Sequence, residues 1–106
     1  MKIKKFNENF KIDPEVGDYV IVCEEDSVID NFTLNNIGRI IPIPESWKKE
    51  KKYLFVQYEY IPPELAEWFQ SYGAPRTRIF SRNEILFCGE NKEQLELEVF
   101  ANKYNL

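Results

Sequence analysis

Glu24, Glu25, Asp26 and Asp30 place four carboxylates in one short stretch, directly after the apolar run Tyr19 to Cys23. Clustered carboxylates hold hard cations, and an EF-hand Ca²⁺ loop needs alternating oxygen ligands, a glycine at its sixth position and a bidentate Glu at its twelfth. Here Val28 and Ile29 stand where ligands are wanted, and no glycine lies between Glu24 and Asp30. The spacing therefore predicts a solvated acidic loop between two strands, with no metal and no other cofactor. In that reading Glu24, Glu25, Asp26 and Asp30 meet a basic surface on a protein partner. Trp47, after Pro44-Glu45-Ser46, lies on no apolar stripe and is the best candidate for an exposed aromatic that anchors such a contact.

A second constellation is basic. Lys48, Lys49, Lys51 and Lys52 stand between Trp47 and Tyr53, and Arg76, Arg78 and Arg82 follow further on. Cations interleaved with aromatics grip phosphates and stack bases, so these residues form the alternative reading, an RNA- or DNA-binding surface. The formal charge of −4 works against it, because affinity for nucleic acid comes from neutralising phosphates. A charged hairpin tip that keeps an edge strand from pairing with other chains accounts for the lysines more simply.

Catalysis has little material. The chain contains no histidine, hence no Ser-His or Cys-His pair and no histidine-containing zinc site. Its two cysteines are too few for an all-thiolate zinc site, and no phosphate-cradling glycine loop or nucleophile elbow occurs. A non-enzymatic protein is expected.

The elements that must position these side chains are short. With 106 residues, the chain is one domain that buries roughly 65% of the surface of its unfolded form. Residues 1–15 form a lead-in. Strands are predicted at Tyr19 to Glu24, Gly38 to Ile43, Tyr53 to Glu59, Arg76 to Phe80 and Ile85 to Cys88, from period-two alternation and the Gly and Pro residues between them. Both faces of the first strand are apolar, so cover is needed on each side of the sheet.

Pro62 and Pro63 predict a helix over about 63–72 that places Leu65, Trp68, Phe69 and Tyr72 on one core-facing stripe. Ser81 with Glu84 has capping-box spacing for a one-turn helix before the last strand. Asn91 with Gln94 starts a final helix over 91–104, whose stripe is Leu97, Phe100, Ala101 and Tyr104. Cys23 and Cys88 end apolar runs and read as reduced, buried residues, with a bridge between them a minor alternative.

Val16-Gly17-Asp18-Tyr19-Val20, Asn36-Ile37-Gly38-Arg39-Ile40, Tyr53-Leu54-Phe55-Val56 and Asn83-Glu84-Ile85 together resemble the Src-homology-3-type small β-barrel, in particular its KOW and Tudor-like relatives. The resemblance spans most of Val16 to Cys88. It implies an α+β, mainly β domain: a five-stranded antiparallel small barrel over 16–89, with a helix inserted between strands three and four and another at the C-terminus. The groove with which signalling members of that group take proline-rich peptides is not recognisable here.

The opening Met1-Lys2-Ile3-Lys4-Lys5-Phe6-Asn7-Glu8 is similar to the N-termini of small proteins encoded by large tailed bacteriophages. That likeness implies a viral protein, associated with the virion or inhibiting a host defence protein. No apolar run is long enough to span a membrane, and no signal-peptide stretch follows the first lysines, so a cytoplasmic location is expected. The expected function is protein binding.

Overall fold

The computed structural model describes residues 13–24, 27–45 and 52–103. Its chain is α+β and mainly β. Strands β1 (Tyr19–Val22), β2 (Gly38–Ile41), β3 (Tyr53–Gln57), β4 (Thr77–Ser81) and β5 (Ile85–Gly89) form one antiparallel sheet in the order β4-β3-β2-β1-β5. Helix α1 (Ser27–Leu34) lies between β1 and β2, and α2 (Lys92–Lys103) follows β5.

The five predicted strands are all present, most of them shorter than read. Gly17 makes the turn into β1 at φ 97°, a left-handed conformation that costs glycine little. Asp18 closes that turn twice, its N–H donating to the Glu15 carbonyl at 3.0 Å and its carboxylate accepting the Glu15 N–H at 2.9 Å.

No ladder joins β4 to β5, so the sheet is not closed. It is nevertheless curled. Ser81 and Ile85 are four Cα steps apart and so within about 14 Å of each other, whereas five flat strands would separate β4 from β5 by about 19 Å. The connection between them is the one-turn 3-10 helix Arg82–Glu84, where Glu84 accepts the Ser81 N–H at 2.8 Å in a capping box. The sequence predicted that turn.

Inside the curl, Val20, Val22, Ile40, Leu54, Val56, Phe80 and Cys88 are buried, and Ile29, Phe32, Leu65 and Phe69 pack against them from the open side. Burying each such side chain is worth about 1.5–3 kcal/mol. Three rings lock the lid: Phe32, Tyr58 and Phe69 meet edge to face at centroid distances of 5.2, 5.5 and 5.6 Å. On the outer face Ile21 and Leu95 are buried where α2 packs on β1 and β5, so both faces of β1 are covered as expected.

Several expectations are corrected. The stretch after the acids is not a loop: Ile29, Phe32 and Thr33 stand at i, i+3 and i+4 and form the buried stripe of α1. Its C-terminal carbonyls are satisfied by side-chain amides, Asn35 donating to the Asn31 carbonyl at 2.7 Å and Asn36 to that of Phe32 at 2.8 Å. The single helix read over 63–72 is two 3-10 turns, Pro63–Trp68 and Ser71–Gly73, interrupted at Phe69 (φ −124°, ψ 53°). Trp68 is 49% exposed, while Leu65 and Phe69 enter the core.

On α2 the buried residue is Leu95, and Leu97 and Phe100 are exposed. Only Glu90 and Asn91 separate β5 from α2, so the exit of the strand sets the helix phase in place of the longer apolar stripe. Cys23 is exposed, not buried. Cys88 pairs with Val20, three residues from Cys23 and thus about 10 Å along the strand, too far for a disulfide.

Candidate functional site

Charge is concentrated where the curl closes. Arg78 pairs with Val56 in the ladder and so shares its inward face, which sends the guanidinium across the open side of the sheet. There its Nε and Nη2 donate to Glu24 Oε2 at 3.2 and 3.1 Å, and Nη1 donates to the Trp68 carbonyl at 3.0 Å. The guanidinium also lies 5.8 Å from the ring centroids of Phe69 and Phe80. With side-chain exposures of 23% and 12%, Arg78 and Glu24 form a half-buried clasp between β4 and the end of β1. Asp30 adds a second tie by accepting the Glu24 N–H at 2.9 Å.

Burial pushes the Glu84 carboxyl above the usual carboxylate range, and the neighbouring Glu24 adds to this by its charge and a hydrogen bond; the Ser81 N–H and Arg78 pull the other way. The folded state therefore holds this proton more tightly than the unfolded chain. By linkage, the contribution of Glu84 to stability is complete below the ordinary carboxylate pKa and is lost as pH rises through the raised one. Glu84→Gln, which keeps an acceptor for the Ser81 N–H, is expected to flatten that decline. Urea midpoints measured through the acid range check this, and equal slopes for the two proteins would refute it.

Desolvation and the carboxylates of Asp30, Glu84 and Glu24 raise the pKa of Cys23 and keep the thiol protonated. Among the described residues no His, Cys, Asp or Glu group is arranged to hold a metal ion.

The residues singled out in the sequence are thus dispersed. Glu24 and Asp30 work inside the fold, and Glu24, from the protein-binding set, has its partner in Arg78, from the nucleic-acid set. Arg82 donates to Asp13 at 3.1 Å and to the Pro14 carbonyl at 3.3 Å. Arg76 Nε donates to the Tyr58 carbonyl at 2.9 Å, and Lys52 lies over the Tyr53 ring at 5.4 Å. Trp47, Glu25, Asp26, Lys48, Lys49, Lys51 and Tyr104 lie outside the described residues, as does the side chain of Tyr72.

A groove that the sequence reading missed is built by the long connection between β3 and β4. It has a volume of about 510 Å³ and is lined by Tyr60, Ile61, Ala66, Phe69, Pro75 and Arg76, among others. That volume falls within the range of about 300–1,000 Å³ usual for ligand sites. Pro62 and Pro63 start the first turn, and Gly73 reverses the chain at φ 78°. Tyr60 stands at its edge, 66% exposed.

Three residues per turn bring Glu64 and Glu67 one above the other, both exposed, beside Ala66. The available signal was the apolar Tyr60-Ile61-Pro62-Pro63 run in a connection far too long for a hairpin. The groove is lined by neither Glu24, Arg78 nor Glu84, so the clasp serves the fold and the groove stands apart from it.

No protein-family model matches this chain, and comparison with curated proteins and with solved structures finds no similar protein. Among the described residues no helix is long and apolar enough to cross a membrane.

Proposed function

We propose that this protein is a non-enzymatic protein-binding module that takes an apolar segment of its partner in the groove beside Tyr60. The observation that carries the reading is the exposed aromatic at the edge of an apolar groove. Aromatics in partly enclosed apolar surroundings are the usual anchors of protein interfaces. The nucleic-acid alternative is weaker, since Arg78 and Arg82 are each engaged with an internal carboxylate and the whole chain is acidic.

The order β4-β3-β2-β1-β5, the curl and the one-turn helix before β5 support a Src-homology-3-type small barrel that is incompletely closed. A phage-encoded protein acting in the virion or on a host defence protein, in the cytoplasm of the host, is compatible with this role and rests on the N-terminal sequence alone. The test is selection from a random-peptide library on the immobilised protein. Enriched peptides are expected to share an apolar core and to be lost on Ala66→Arg. Failure to enrich any sequence, or enrichment untouched by Ala66→Arg, would refute the groove, as would submicromolar binding of a random oligonucleotide at physiological salt.

A further inference from the structure

We propose that the cleft between Arg39 and Arg76 binds a doubly charged oxyanion, the terminal phosphate of a phosphomonoester. The cleft has a volume of about 190 Å³, and its lining includes Tyr19, Arg39, Gln57, Glu59, Arg76 and Lys92. Three cations thus face one carboxylate, and that carboxylate is engaged with Lys92 at 3.6 Å.

The sheet register builds this site. Arg39 on β2 pairs with Tyr19 on one side and with Gln57 on the other, and Gln57 pairs with Thr77, next to Arg76. Strands spaced about 4.8 Å apart place the two arginines about 10 Å apart at the backbone, and both line the one cleft. Gln57 is itself held, its Nε2 donating to the Pro75 carbonyl at 3.1 Å.

Both guanidiniums are oriented through Nε. Arg39 Nε donates to the Gly17 carbonyl at 3.2 Å with its guanidinium 5.0 Å from the Tyr19 ring centroid, and Arg76 Nε donates to the Tyr58 carbonyl at 2.9 Å. The terminal nitrogens of both meet no acceptor among the described residues. They form two preorganised forks. A carboxylate has oxygens for one such fork, whereas a tetrahedral phosphate serves two, and charge-assisted bidentate pairs are the strong ones.

An independent observation marks Arg76. It is the one non-glycine residue with positive φ among those described, at 55°, where an ordinary side chain costs about 1–2 kcal/mol. Asparagine or glycine would relieve that strain, and strained backbone of this kind gathers at binding sites.

The cleft shares Arg76 with the apolar groove and differs from it at Arg39, which lines the cleft and not the groove. The experiment is thermal unfolding with inorganic phosphate, methyl phosphate and dimethyl phosphate, each against chloride at matched ionic strength. A ligand of the folded state raises Tm saturably. Inorganic and methyl phosphate are expected to do so in the millimolar range, and dimethyl phosphate, a singly charged diester, far less.

Arg39→Gln and Arg76→Asn should each weaken binding by about tenfold or more, while Lys52→Ala should leave it unchanged. Asparagine tolerates the left-handed conformation, so the second variant is expected to fold. In the unaltered protein the Nε–H resonances of Arg39 and Arg76 should shift as phosphate is added. No Tm rise beyond chloride, resonances that stay in place, or a rise retained by both arginine variants would overturn the site. Tighter binding of dimethyl phosphate would overturn the monoester in favour of a nucleic-acid backbone.

Discussion

Phe69→Ala is expected to cost about 3–5 kcal/mol, the usual loss when a fully buried aromatic is removed and a cavity left behind. Phe69 has no exposed surface, completes the ring triad with Phe32 and Tyr58, and stacks beneath the Arg78 guanidinium. Its backbone matters as well, since its carbonyl accepts the Thr77 N–H at 2.9 Å and fastens the connection to β4. That bond survives the substitution, so the measured loss reports packing. Trp68→Ala is the paired control: the side chain is half exposed and Arg78 uses only its carbonyl, so a loss of about 1–2 kcal/mol is expected. Urea denaturation of the two variants decides the matter. A Trp68 variant as damaged as the Phe69 variant would mean that the lid packs through the other residue.

Gly38→Ala should be the most damaging single-methyl change in the sheet. An added Cβ would sit 2.3 Å from Val56 Cγ1 and 2.9 Å from Tyr58 Cζ, both in the buried core. Val56 lies on the neighbouring strand, and β2 is held on its other side by β1, with Gly38 paired to Val20. Neither strand can retreat without giving up hydrogen bonds, so overpacking of about 1–3 kcal/mol or more is expected. Adding Val56→Ala removes the atom nearest the clash and should recover part of that loss, a coupling that a double-mutant cycle resolves. If the Val56 change simply adds its own cost, the close approach is not the cause.

The sequence made the strands legible because their signals are local. Alternation in Tyr53 to Gln57, Gly17 in its turn and the Ser81–Glu84 capping pair are each read from adjacent residues. Helix α1 escaped because only Ile29, Phe32 and Thr33 carry its stripe, and acids precede it. The sequence places Trp68 in the core by running one continuous helix through a segment that is two short 3-10 helices broken at Phe69. The Arg78–Glu24 pair joins residues 54 positions apart, and it exists only because the register turns Arg78 inward and the sheet curls. Arg39 was missed for a related reason: a single arginine in a strand says nothing until its neighbours two strands away are known.

The curl has a consequence for how this chain can associate. Its two outer strands, β4 and β5, are consecutive and joined by three residues, so both edges, which have no further strand beside them among the described residues, lie along one side of the domain. Growth of stacked sheets requires two ends, one that receives a strand and another that offers the next. Here a strand laid against β4 obstructs the approach to β5. Pairing at that seam can end in a capped complex, but it gives no route to a fibre.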